Sequence, residues 1–149
     1  MATLTPTLTL TSTDAFENQS ISLSVTDSLT IEAPMTDISR MATNDNIGNG
    51  AGVILAEATS TDTYFVYVKH TGLLASNGTS SSHASNDFIT LTNEDGDHDF
   101  IKLQPGEFAF FPLKEFDGAD GGSDSEPGGL KLEAASADVI VEFGYWKRS

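Results

Sequence analysis

Residues 19–31 read QSISLSVTDSLTI, a run in which Ile21, Leu23 and Val25 alternate with serines before Leu29 and Ile31 repeat the pattern beyond Asp27-Ser28. Successive side chains of an extended strand point to opposite faces, so a period of two is the pattern of a half-buried strand. Toward the N-terminus the same period continues in MATLTPTLTL, with Leu4, Leu8 and Leu10 on one face and Thr3, Thr5, Thr7 and Thr9 on the other. Threonine is β-branched, and Ser, Asn and Gly favour turns, so the polar half of the pattern also suits strands joined by turns. Up to Ala33 the chain predicts three short strands or extended arms.

Beyond Ala33 the alternation stops. Residues 34–52, PMTDISRMATNDNIGNGAG, are rich in Gly and Asn and read as a long loop, in which Met35, Ile38 and Met41 recur at the spacing of one helical turn. Two readings stand for these three residues: a cap over the core, or a contact arm for another subunit, since long loops in compact domains are often functional. Further on, Val53–Ala58 and Thr63–His70 predict strands, and the second, TYFVYVKH, is apolar on both faces and central. Residues 76–86, SNGTSSSHASN, are of low complexity. Phe88–Thr92 and Phe100–Leu103 flank the acidic turn NEDGDHD as a hairpin, and GEFAFFPL (106–113) is a strand reached through Pro105-Gly106. After the acidic loop DGADGGSDSEPGG (117–129), Leu130–Ala134 and Val139–Trp146 form a closing hairpin around Ser136-Ala137-Asp138.

No segment sustains a helical period, and turn residues recur at the intervals of a sandwich or barrel. The expected fold is all-β: an antiparallel β-sandwich or jelly-roll-like barrel with an extended N-terminal arm. Strands, arm and loop are expected over residues 1–51 and the sandwich core over 52–149, as one compact domain overall.

Composition narrows the function. The 149 residues include 22 Asp and Glu against seven Lys and Arg, a formal net charge of −15. Nucleic-acid binding needs clustered cations, and the one adjacent basic pair is Lys147-Arg148, so no nucleic-acid partner is expected. There is no cysteine, which excludes disulfides, thiol nucleophiles and Cys-based zinc sites. The first ten residues lack the basic and apolar regions of a secretory signal, and nothing is long and apolar enough to span a membrane. Release by lysis, or as part of a particle, is the route this implies for work outside a cell.

Candidate chemistry is sparse. His70, His83 and His98 have no partner at metal-ligand spacing such as HxH or HExxH. Asp95-Gly96-Asp97-His98-Asp99 is the most Ca²⁺-like string, yet Phe100 and Gly106 stand where an EF-hand needs Gly and a bidentate Glu. A solvated turn accounts for it, and equally for Asp117, Asp120, Asp124 and Glu126. There is no G-x-S-x-G elbow, and Gly48-Asn49-Gly50-Ala51-Gly52 lacks the lysine of a phosphate loop. No pair of carboxylates is singled out for glycoside hydrolysis, and Asn18 and Asn77 match the glycosylation pattern as chance allows in so Ser/Thr-rich a chain. Neither an enzyme nor a cofactor is expected.

Tyr64, Phe65, Tyr67, Phe108, Phe110, Phe111, Tyr145 and Trp146 fall in the expected strands, where core packing explains aromatics and a carbohydrate-binding face is the alternative. Trp146 stands apart, on the face opposite Val141, Phe143 and Tyr145 and beside Lys147-Arg148, as a candidate for an intersubunit contact.

Three pieces, YFVYVKHTG (64–72), FITLTNEDGDHDFIKLQPGEFAFFPL (88–113) and LKLEAASADVIVEFGYWK (130–147), together resemble the small β-rich structural proteins of tailed bacteriophages. The likeness lies in a strand with paired aromatics, an L-x-PGE run leading into an apolar strand, and a closing hairpin. It implies a non-enzymatic virion protein, most simply a capsid decoration protein, with a tail, baseplate or receptor-binding component as the alternative. The implied partners are the major capsid protein, other virion subunits and further copies of the chain; the implied location is the virion. Leu4, Leu8, Leu10, Met35, Ile38, Met41 and Trp146 are the expected contact residues.

Overall fold

The computed structural model describes residues 1–16, 19–32, 37–43, 53–56, 63–76, 78, 88–93, 99–114, 130–135 and 138–149. The protein is all-β: its described elements are strands, and every pairing between them is antiparallel. The chain forms two compact units, residues 1–35 with 148–149, and residues 36–147.

The first unit holds β1 (Ala2–Leu4), β2 (Thr7–Phe16), β3 (Gln19–Thr26) and β4 (Leu29–Ile31). β1 pairs with β4, setting Leu4 opposite Leu29 and Ala2 opposite Ile31, and Arg148 bridges to Ile31. β2 pairs with β3 as a ribbon two strands wide. Pro6, which fixes its own φ and carries no N–H, stands at the break between β1 and β2. Its carbonyl accepts the Asp27 N–H at 3.2 Å, and the Asp27 carboxylate accepts the Ser28 N–H at 2.7 Å.

The second unit holds β5 (Ser39–Ala42), β6 (Val53–Ala56), β7 (Thr63–Leu74), β8 (Ile89–Asn93), β9 (Asp99–Leu103), β10 (Phe108–Lys114), β11 (Leu130–Ala134) and β12 (Val139–Lys147). They make two four-stranded sheets, ordered β10-β7-β12-β5 and β6-β11-β8-β9. The inner faces share one core: Tyr64, Val66, Val68, Leu113, Val139 and Val141 from the first sheet meet Ile89, Leu91, Leu103, Leu130 and Leu132 from the second. This is the sandwich expected from the alternation, its core built from residues of β7, β8, β9, β10, β11 and β12.

The division between units falls at 35/36, and part of the segment expected as a loop is a strand. Ser39–Ala42 pair with β12, and Met41 lies opposite Val141, half-buried against the core. The spacing of Ile38 and Met41 is therefore not a helical turn; an available strand edge decides the conformation of so short a segment. The closing hairpin expected from Leu130–Ala134 and Val139–Trp146 is also not formed: β11 and β12 belong to different sheets.

Two local devices shape the second unit. The turn before β10 puts Pro105 and Gly106 (φ 89°) at its centre, with the Glu107 N–H donating to the Gln104 carbonyl at 2.9 Å. This is the type II arrangement that Pro-Gly favours. Within β7, the register against β12 jumps from His70↔Val141 to Leu73↔Ile140, so Thr71 and Gly72 (φ 77°) form a bulge. The bulge is fixed by side chains: His70 Nδ1 accepts the Gly72 N–H at 3.0 Å, and Thr71 Oγ1 donates to the Ile140 carbonyl. His70, the expected end of this strand, is fully buried inside a strand that runs on to Leu74.

Candidate functional site

Pairing between β2 and β3 sorts their side chains by chemistry. Opposed residues of an antiparallel pair share a face. The register Leu8↔Val25, Leu10↔Leu23 and Ser12↔Ile21 therefore gathers five aliphatic side chains on one side of the ribbon. The other side carries Thr7↔Thr26, Thr9↔Ser24 and Thr11↔Ser22, all hydroxyls, with Thr7 and Thr26 in mutual hydrogen bond at 3.1 Å. A face this apolar belongs in a core, yet Leu8, Leu10, Ile21, Leu23 and Val25 are each 39% to 50% exposed. Residues 7–13 and 20–26 include no ionisable side chain. Such a ribbon, apolar, neutral and open, is unusual on a chain of charge −15.

A second open face lies on the outer side of the sheet β10-β7-β12-β5. Strand alternation turns Tyr64, Val66 and Val68 inward and leaves Phe65, Tyr67 and Lys69 outward; on β10 it leaves Phe108 and Phe110 outward. Phe65 and Phe110 stack with their rings 9° from parallel and centroids 6.2 Å apart, and Tyr67 leans on Phe108 at 6.5 Å. Phe108 is 57% exposed and Phe110 37%. Beside them, Arg40 donates from Nε (2.9 Å) and Nη2 to one carboxylate oxygen of Glu142. Burial, with the Glu142 charge adding to it, raises the Tyr67 phenol above its ordinary value of 10.0.

No family model matches the chain, and no curated protein or solved structure does.

The expected contact residues fall into different settings. Leu8 and Leu10 stand on the open ribbon face, while Leu4 is half-buried in β1. Ile38 is 55% exposed, near Gly144 on the outer sheet face. Met41 points toward the core, and Met35 lies outside the described residues. Trp146 is 6% exposed, its six-membered ring lying against Gly144. Ile21, Leu23 and Val25 complete the ribbon face, and only the β2–β3 register shows that they join Leu8 and Leu10. Phe108 and Phe110, expected in the core, face outward because the core side of β10 is taken by Ala109, Phe111 and Leu113.

Among the described residues, no three His, Asp or Glu converge as a metal site. Asp99 instead meets Lys102 at 3.2 Å. His83, His98, Asp95, Asp97, Gly48–Gly52 and the acidic residues 117–126 lie outside the described residues. One charged pair escaped the sequence reading: Lys131 and Glu133, on the face of β11 opposite Leu130 and Leu132, meet at 2.8 Å with their side chains 3% and 8% exposed. Residues i and i+2 of a strand share a face, so this pair is local to β11. Thr90 and Thr92, their register partners on β8, are buried with them.

Proposed function

We propose that this chain is a non-enzymatic structural protein of a tailed-phage virion, most simply a capsid decoration protein, that works through contacts with neighbouring subunits. The observation that carries the reading is the β2–β3 ribbon, which displays five aliphatic side chains on one face without burying them. An isolated two-stranded ribbon is marginal in water, and apolar area of this kind becomes stabilising only when something covers it. The patterning likeness to phage structural proteins supplies the setting, and the strong negative charge suits a protein that must stay soluble until it meets its site.

Mass spectrometry and electron microscopy of native particles test the proposal. Decoration predicts the chain on the capsid surface in hundreds of copies, retained through purification. Its absence from particles sinks the reading.

The outer sheet face favours a second reading, a tail or receptor-binding component that recognises a glycan. Phe108 and Phe110, with the half-buried Tyr67 beside them and Phe65 stacked beneath Phe110, offer ring surface next to the hydrogen-bonding Arg40–Glu142 pair, an arrangement suited to a sugar's mixed apolar and hydroxyl faces. Copy number of a handful per particle, with glycan-array signals lost in Phe108→Ala and Phe110→Ala, is the outcome this reading requires.

A further inference from the structure

We infer that the apolar face of the β2–β3 ribbon docks on the same face of a second copy of this chain. The inference rests on the assembly reading above and names the partner for this surface. Two observations select a copy over other occupants, and a third sets the strength of the contact.

The first is charge. Two copies each bearing −15 repel across most of their surfaces, but residues 7–13 and 20–26 contribute nothing to that repulsion. A basic partner would be drawn to acidic surface, and this ribbon offers it no carboxylate in those spans. The ribbon is thus a place where like molecules can approach.

The second is self-complementarity. The central rung is Leu10 opposite Leu23, flanked by Leu8–Val25 and Ser12–Ile21. A two-fold axis running across the strands reverses the order of the rungs. It lays Leu10 over the copy's Leu10 and the bulky Leu8 over the small Ser12. Homodimers use such isologous patches, and sheet faces pack this way in sandwiches.

The third is area. From their fractional exposure, the five side chains leave open on the order of 400 Å² of apolar surface, so two faces together bury about half of a standard-size interface. The contact is therefore weak and reversible in solution, with dissociation in the micromolar range or above, and firm only where copies are held close together.

Sedimentation equilibrium of the full chain across micromolar to millimolar concentration tests this. A monomer–dimer equilibrium is expected, tightening several-fold as salt screens the repulsion between copies; a contact held by opposite charges would weaken instead. The double substitution Leu10→Thr/Leu23→Thr, which keeps strand-forming residues, is expected to weaken association at least tenfold. Thr9→Val/Ser24→Val, on the hydroxyl face, leaves it unweakened. Because the chain has no cysteine, Leu10→Cys and Thr9→Cys each carry one unique thiol. A short bis-maleimide should link Leu10→Cys into dimers and leave Thr9→Cys monomeric, which tests the face even if the threonine variant misfolds. A chain monomeric at every concentration and salt, or a dimer that links equally through both cysteines, overturns the inference. A monomer that is nonetheless abundant on particles removes the self-docking and leaves the virion reading standing; a dimer of the expected geometry in a chain absent from particles does the reverse.

Discussion

The ring of Trp146 lies against Gly144, two residues earlier on β12, so closely that a β-carbon on Gly144 would come within 2.9 Å of the ring atoms Cη2 and Cζ2. The glycine makes room on the outer sheet face for the chain's one tryptophan. Gly144→Ala is expected to push the indole aside and destabilise the protein by about 1–3 kcal/mol, the range for overpacking. Tryptophan emission and the urea midpoint should shift together; a change in neither would mean that the ring yields freely.

The Lys131–Glu133 pair gives a prediction of opposite character. Glu133→Gln leaves a lysine inside the protein without its carboxylate and should cost about 3–5 kcal/mol. Lys131→Met/Glu133→Leu removes both charges and should lie within about 1–2 kcal/mol of the parent, because the cost of desolvating the pair vanishes with it. Chemical denaturation of the single and double variants checks whether the loss comes from the orphaned charge.

Tyr67 contributes to stability on the alkaline side. Its phenol is raised by burial first and by Glu142 second, so the folded state keeps this proton at pH values where the unfolded chain has begun to lose it. The contribution to stability is complete below the unfolded value near 10.0 and disappears as pH climbs through the higher folded value. Glu142→Gln removes the smaller cause, so the tyrosinate absorbance of Tyr67 should appear at lower pH than in the parent while burial keeps it above the ordinary value.

The bulge at Thr71-Gly72 depends on an acceptor. His70→Leu removes the nitrogen that accepts the Gly72 N–H and should cost about 1–3 kcal/mol for the amide left unpaired. His70→Asn places an amide oxygen in reach of the same N–H and should recover part of the loss. Equal destabilisation by both would mean that acceptance of the Gly72 N–H contributes little.

The all-β class was legible because alternation is a local property. Ile21-Ser22-Leu23-Ser24-Val25 and Thr63–His70 announce strands without help from the rest of the chain, and Pro105-Gly106 announces its turn. What the alternation leaves open is which face meets what. Phe108 and Phe110 alternate with Ala109 and Phe111, and nothing in that run says that the smaller residue of the first pair faces the core. Met41 reads as part of a loop until β12 offers an edge to pair with, since four residues hold too little pattern to outweigh a Gly- and Asn-rich neighbourhood. Lys131 and Glu133 look like a solvated strand face, because burial of that face is decided by long-range packing. The ribbon was half visible: Leu8 and Leu10 stood out, whereas the β2–β3 register was needed to bring Ile21, Leu23 and Val25 beside them.

The order of strands within the sheets has a consequence for the time course of synthesis. β2 and β3 follow one another along the chain, and two-stranded hairpins close in about 1–10 μs. In the sheet β10-β7-β12-β5 no neighbours are consecutive, so β7 waits for β12 before it gains its central partner; such non-local pairing is slow. The ribbon can therefore zip while the sandwich strands are still being translated, presenting Leu10 and Leu23 to nascent chains on the same messenger before either has a core. On the self-docking inferred above, early meeting of ribbons competes with later closure of the sandwich, and slower elongation through residues 36–147 should tilt the balance toward the first.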